Sequence, residues 1–354
     1  MGLIVEKNRI IEEDAKDIAS RVDLSELSGK EILITGASGL IGTYFLYSLK
    51  ECMARGLQIK KVHIVCKNQL PEYLQIFSTY PWIELWQGDL CEDGFANSLP
   101  ECDYIIHGAG YGQPAKYIAN DDKTLKINTA ATFTLLEKIK EHGKFLFISS
   151  SIIYNGLQKE TYYESDAGIT TTLHPRAGYI EGKRCGEAIC FAYRKKGVEA
   201  KAARLSFTYG PGVRQGDERA MCVFIEKGLR GNIALLDQGG AERIYCYVAD
   251  AVEIMWNILL FGKEPVYNVG GKEKVTILEL AHKIGKVLGV PVTVPKDGKN
   301  GVPGAAPLER LDISKLEKEF GKTTFVPLGQ GVERTIQWMQ GQYVYQNADG
   351  SQER

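Results

Sequence analysis

From about Lys30 to about Tyr209 the sequence alternates short, nearly continuous apolar runs with longer stretches of helical periodicity. The apolar runs are residues 31–35, 62–66, 83–86, 104–107 and 145–149. Residues 40–52 and a stretch from Asn128 to Ile139 carry the helical pattern. Strands that are apolar on both faces and separated by helices belong in a parallel sheet covered on both sides. The expected fold class is therefore α/β, a doubly wound parallel sheet. After Tyr209 the rhythm loosens, punctuated by Gly210-Pro211-Gly212 and Gly239-Gly240. That change predicts a smaller C-terminal lobe over 209–340, with some segments returning to the main sheet. Residues 1–28 read as a helical extension, with Ile10, Ile11, Ala15, Ile18 and Ala19 near helical spacing. Residues 341–354 read as a polar, frayed tail.

Charge and cysteine usage narrow the function classes. With 43 basic against 44 acidic residues the formal net charge is -1, so no bulk attraction to nucleic acid or to an anionic membrane is expected. The first ten residues carry Glu6, Lys7 and Arg9 and do not resemble a secretory signal. No run approaches the roughly 18 apolar residues of a membrane span. The 8 cysteines are scattered and form no Cys-x-x-Cys pair. The expectation is reduced thiols, a cytoplasmic protein and no metal site.

The segment Thr35-Gly36-Ala37-Ser38-Gly39-Leu40-Ile41-Gly42 follows the first strand and opens a helix. In that context glycines serve three purposes: Gly36 a tight turn, Gly39 close approach of a pyrophosphate, Gly42 close packing of helix on strand. The helix N-terminus, with Ser38, Leu40 and Ile41, offers N–H groups and partial positive charge to phosphates. The fold is thereby Rossmann-type, with residues 29–208 as the NAD(P)-binding domain. Asp89 and Leu90, after the third strand, are placed to meet adenine. The second strand ends Val65-Cys66-Lys67-Asn68, without the acid that binds a ribose 2′-hydroxyl. NAD is the expected cofactor, but NADP is not excluded, since Lys67 is either a 2′-phosphate ligand or a solvated loop lysine.

Tyr179 and Lys183 sit at i and i+4 on an expected helix and share a face. Removing hydride from a carbinol carbon requires a base for the hydroxyl proton, and a free phenol with pKa near 10 is a poor one at neutral pH. An ammonium one turn away favours the phenolate. Ser149-Ser150-Ser151 ends an apolar strand some thirty residues earlier, where ligands of open α/β sheets bind. A hydroxyl there can bond both the reacting oxygen and the tyrosine.

Together the glycine turn, the serine strand, Asn128 and Tyr179/Lys183 resemble the extended short-chain dehydrogenase/reductase family, over residues 30 to 340. Within it the chain is similar to nucleotide-sugar epimerases, dehydratases and decarboxylases. The segment from Pro175 to Arg184, His107-Gly108-Ala109 with Pro114 and Tyr117, and Thr208-Tyr209-Gly210-Pro211 are most similar to UDP-glucuronate decarboxylases. The resemblance implies Ser150, Tyr179 and Lys183 as catalytic residues, and Tyr179, Lys183, Ala109 and Asn128 as cofactor ligands. It further implies Tyr117, Ser151, Arg219 and Arg243 as ligands of a nucleotide-diphosphate sugar, and a homodimer.

Two positions depart from that pattern. The 4,6-dehydratases place Asp-Glu after the serine or threonine and the decarboxylases keep the Glu; here Ser151 and Ile152 follow Ser150. Phe207 stands where many members carry a phosphate-binding Asn. A site without the Glu suits transient oxidation at sugar C4 followed by return of the hydride to the other face. A 4-epimerase is therefore the expected activity, with UDP-glucuronate decarboxylation as the alternative. A 4,6-dehydratase, a simple keto-sugar reductase and a non-catalytic NAD(P)-binding protein rank below them.

Overall fold

The computed structural model describes residues 2–296 and 308–348. Helix α1 (Gly2–Arg21) precedes a run of alternating elements: β1 (Glu31–Thr35), α2 (Leu40–Ala54), β2 (Lys61–Cys66), β3 (Ile83–Gln87), α3 (Phe95–Ser98) and β4 (Cys102–His107). The run continues through α4 (Pro114–Ala119), α5 (Asp121–Asn128), α6 (Ala130–Leu136), β5 (Ile139–Ser150), α7 (Ala177–Arg194) and β6 (Glu199–Leu205). Then come β7 (Phe207–Tyr209), α8 (Ala220–Leu229), β8 (Ile233–Ala234), β9 (Glu242–Tyr247), α9 (Val248–Phe261), β10 (Val266–Val269), β11 (Lys274–Thr276) and α10 (Ile277–Leu288). The last are β12 (Val292–Thr293), β13 (Leu308–Glu309), α11 (Ser314–Phe320) and α12 (Leu328–Ala348).

Seven strands form one parallel sheet in the order β10-β6-β5-β4-β1-β2-β3. The order reverses between β1 and β4, and that switch point opens a crevice at the carboxyl ends of the strands. Side-chain alternation divides the core into two layers. Ile32 and Ile34 of β1 pack on α1, α2 and α9 through Ile18, Phe45 and Trp256. Leu33 faces the other way, with Ile105, Phe145, Leu135 and Ile189. Both faces are covered, so the strands read as continuous apolar runs in the sequence.

The C-terminal segments contribute to two places. β9 pairs with β7, β11 and β13 in a small second sheet, and β8 pairs with β12. α9 and β10 return to the main sheet, where β10 adds an edge next to β6. Among the described residues no helix is long and apolar enough to cross a membrane.

Two expectations change. The helix expected from Asn128 to Ile139 is broken at Thr129 and ends at Leu136, and Ile139 already belongs to β5. The Thr129 hydroxyl donates to the Leu125 carbonyl and the Thr132 hydroxyl to the Asn128 carbonyl, so side chains take up carbonyls around the break. At the other end, α12 continues to Ala348 rather than fraying from 341. Trp338 Nε1 and Gln342 Nε2 both donate to the Val213 carbonyl, at 2.9 and 3.0 Å, and tie this helix to the main body.

Candidate active site

The crevice at the switch point is a cleft of about 1980 Å³. Its floor is the β1–α2 turn. Gly36 adopts φ +71°, and a Cβ there would lie 2.5 Å from the Gly108 carbonyl oxygen. A Cβ on Gly42 would lie 2.4 Å from Ala37 Cα. Both positions thus require glycine, one for conformation and one for the closeness of helix to turn. The first turn of α2 carries no side-chain cap, which leaves its N–H groups facing the cleft. Gly36, Ser38, Gly39, Leu40, Ile41, Gly42, Asp89, Leu90 and Ala109 all line the cleft.

A buried hydrogen-bond chain ties this turn to the next strand. The Ala109 N–H donates to Thr35 Oγ1, which donates to His107 Nδ1 at 2.7 Å; His107 Nε2 donates to the Ile127 carbonyl at 3.1 Å. Burial, reinforced by the nearby Lys183 charge, pushes the imidazole down to about 3. The ring is therefore neutral, with its proton fixed on Nε2. It joins β1, β4 and α5 without taking part in titration at physiological pH.

The other wall is built by β5 and α7. Ser150 is the last residue of β5, and its Oγ accepts the Ile152 N–H at 3.2 Å. The Tyr179 phenol lies beside Ser150, and its ring stacks on Tyr117 with centroids 4.4 Å apart and planes within 7°. One helical turn on, Lys183 is buried. Its Nζ donates to the Ile148 carbonyl at 2.7 Å and lies 4.7 Å above the Phe147 ring and 5.9 Å from the Tyr179 ring. Loss of hydration lowers the Lys183 pKa to about 7. Burial raises the Tyr179 phenol above its ordinary value, while Ser150 and the Arg219 charge pull it back. On this geometry Lys183 alone does not make Tyr179 a phenolate.

Behind Lys183 lies a polar network that the spacing of single motifs did not reveal. Glu187, one further turn along α7, accepts from the Ser149 hydroxyl at 2.5 Å and from Arg204 of β6 through Nε and Nη2. Arg204 Nη1 donates to the Tyr154 hydroxyl at 2.7 Å, and Tyr154 donates to Asn268 Oδ1 of β10 at 2.6 Å. The chain clamps the serine strand against α7. Its only sequence signal was that Tyr179, Lys183 and Glu187 recur every four residues on one helical face.

The remaining expected residues divide. Tyr117, Ser151, Arg219 and Arg243 line the cleft. Arg219 is held by Asp217 through two contacts, at 2.8 and 2.6 Å, and donates to the Thr208 carbonyl. Arg243 lies over the Phe207 ring and donates to the Glu242 carbonyl. Asn128, expected as a cofactor ligand, does not line the cleft. Its Nδ2 donates to the Thr124 carbonyl, its Oδ1 has no hydrogen-bond partner, and it packs beneath Gly182 between α5 and α7. Lys67 is not a free loop lysine: its Nζ pairs with Asp89 Oδ2 at 2.8 Å.

The sequence model of the NAD dependent epimerase/dehydratase family matches residues 32–270. UDP-glucuronic acid decarboxylase 1 of Danio rerio is 30% identical over 329 residues, 91% of this chain and 76% of the relative. UDP-glucuronic acid decarboxylase 6 of Arabidopsis thaliana is 30% identical over 311 residues, covering 86% and 87%. Among solved structures, the UDP-glucuronic acid 4-epimerase of Bacillus cereus superposes with TM-score 0.74 at 23% identity, over 88% of this chain and 100% of that one. A dTDP-glucose 4,6-dehydratase of Streptomyces venezuelae superposes with TM-score 0.75 at 24% identity, over 89% and 98%. At these identities the superpositions speak for the fold.

Proposed function

The chain belongs to the NAD-dependent epimerase/dehydratase family, and from that premise we propose that it is a nucleotide-sugar 4-epimerase acting with NAD. The observation that carries the reading is the set at the end of β5: the Tyr179 phenol beside Ser150, followed by Ser151 and Ile152 where the dehydratases carry Asp-Glu and the decarboxylases keep the Glu. The cradle fits the dinucleotide. Bare backbone at Gly39, where a Cβ would meet only the Gly36 carbonyl, and the uncapped start of α2 suit a pyrophosphate. When bound, NAD supplies the acceptor for a hydride from the sugar carbon and a positive ring charge beside the tyrosine.

The chain's own groups do the proton work. Tyr179 takes the proton of the sugar C4 hydroxyl while Ser150 bonds the same oxygen, and Tyr117 holds the phenol ring in place by its parallel stack. Lys183 adds positive charge beneath the ring, and its bond to the Ile148 carbonyl fixes its head. After the keto sugar turns over in the cleft, Tyr179 returns the proton to the oxygen on the opposite face. Ile152 cannot shuttle a proton at C5 or C6, and epimerisation requires no such group. Arg219, neutralised by Asp217, and Arg243 are the arginines assigned to the diphosphate.

Decarboxylation of a UDP-uronate is the second reading, favoured by the curated relatives. A β-keto acid loses carbon dioxide without a dedicated acid once C4 is oxidised. Incubation with UDP-glucuronate, UDP-glucose, UDP-N-acetylglucosamine and the dTDP and GDP sugars, followed by NMR, separates the two. A C4-inverted sugar supports the epimerase. Carbon dioxide released from UDP-glucuronate replaces it with the decarboxylase, and sustained oxidation of added NADH by a keto sugar overturns both. Exposed Leu125, Phe133 and Phe191 on the adjoining α5, α6 and α7 support assembly as a homodimer.

A further inference from the structure

In a dinucleotide site, an acid at the end of the second strand binds the adenosine ribose hydroxyls and repels a phosphate at the 2′-position. Here β2 ends at Cys66 and runs on into Lys67 and Asn68, so that acid is missing. The fold brings positive charge to the same end of the cleft from two directions. Lys67 follows β2 directly. Arg214 comes from the loop after β7, donates from Nη2 to the Ser38 carbonyl of the glycine turn at 2.8 Å, and lies close enough to Cys66 to act on its thiol electrostatically.

The loop carrying Arg214 is anchored on both sides. The Gly212 carbonyl accepts from the Tyr73 hydroxyl at 3.2 Å, and the Val213 carbonyl accepts from Trp338 and Gln342. The Arg214 side chain lies beside the Tyr73 hydroxyl. Ser38, Lys67, Asn68 and Arg214 all line the cleft. Against these two cations stands one carboxylate, Asp89, whose Oδ1 accepts the Cys91 N–H while Oδ2 pairs with Lys67. The balance at this end is one positive charge, with a guanidinium and an ammonium able to form charge-assisted bonds to a phosphate.

We propose that the adenosine-ribose end of the cleft accepts a 2′-phosphate, so that this chain binds NADP as well as NAD. The proposal rests on the dinucleotide reading above and names a ligand class that the family description does not. Lys67 leaves Asp89 for the phosphate or bridges the two, and Arg214 meets the phosphate from the lobe side.

Isothermal titration of the full chain with 2′,5′-ADP and with 5′-ADP tests this without any turnover. The expected result is 2′,5′-ADP binding about tenfold tighter or more, the size of one good charge-assisted contact, with the advantage shrinking as salt is raised. Arg214→Gln should remove most of the advantage and leave 5′-ADP affinity within about twofold. Lys67→Ala, whose side chain is half-exposed, gives an independent second variant with the same sign. Equal or weaker binding of 2′,5′-ADP, with 5′-ADP still bound, overturns the 2′-phosphate site alone. Failure of both nucleotides to bind overturns the dinucleotide reading and this inference with it.

Discussion

Lys183 and Lys322 are both buried, at 6% and 5% exposure, yet the molecule treats them in opposite ways. Lys322 has two carboxylates on its Nζ, Asp250 at 2.8 Å and Glu253 at 2.7 Å, and Asp250 also accepts the Val326 N–H. Lys183 has no carboxylate in contact. Glu187, the nearest on its own helix face, is taken up by Arg204 and Ser149, and the ammonium is left with one carbonyl and two ring faces. A buried charge without a counter-ion is costly. The seam between α9 and the segment after α11 avoids that cost, whereas the wall of the cleft retains it. A buried lysine without a counter-ion beside a phenol marks this wall of the cleft as the candidate functional site.

If this contrast is right, substitutions should separate function from stability. Tyr179→Phe keeps the stack on Tyr117 and removes the proton carrier; turnover of the NMR-identified sugar should fall by about a thousandfold or more, with NAD binding by titration retained. Lys322→Met strands Asp250 and Glu253 in the interior and should destabilise the fold by about 3–5 kcal/mol in urea unfolding. Lys183→Met should behave inversely: turnover down roughly a hundredfold, unfolding free energy unchanged or raised, because a desolvated charge has been removed. If Lys183→Met instead unfolds the chain as Lys322→Met does, the two lysines are equivalent and the contrast fails.

The smallest effect concerns Asp14, another paired buried charge. It accepts from the Tyr44 and Tyr247 hydroxyls at 2.8 and 2.7 Å and pairs with Arg334 at 2.9 Å. Desolvation outweighs these partners and raises its pKa from 3.8 to about 6. A raised folded-state pKa means stability that is present below about pH 4 and lost as pH rises through about 6. Wild type should therefore lose stability relative to Asp14→Asn between pH 4 and 6, by no more than about 3 kcal/mol, and the difference should be level above pH 7. A level difference throughout places the titration elsewhere.

The sheet was legible because its strands are buried on both faces, so Ile32, Leu33 and Ile34 announce themselves without tertiary knowledge. The glycine turn and the Tyr179/Lys183 pair were legible because their chemistry depends on local spacing, which a sequence displays directly. What was not legible depends on contacts between distant segments. Glu187 with Arg204 and Tyr154, Asp217 with Arg219, and Arg214 over Ser38 join residues that no local period relates. The place of Asn128 outside the cleft lining was not readable for the same reason: its helix position was readable, but its packing under Gly182 was set by the crossing of α5 and α7. The extent of α12 was missed because its anchor, the Val213 carbonyl, lies in a loop more than a hundred residues earlier.

On the proposed 4-epimerase reading, hydride leaves sugar C4 and returns to it within one site while Tyr179 holds the proton. A nucleotide sugar deuterated at C4, chosen from the panel above, tests it directly by NMR of the product formed with NAD in ordinary water. The expected product has an inverted C4 centre that keeps its deuterium, with no net reduction of NAD. Loss of the label to solvent, or its appearance in free reduced cofactor, would contradict it.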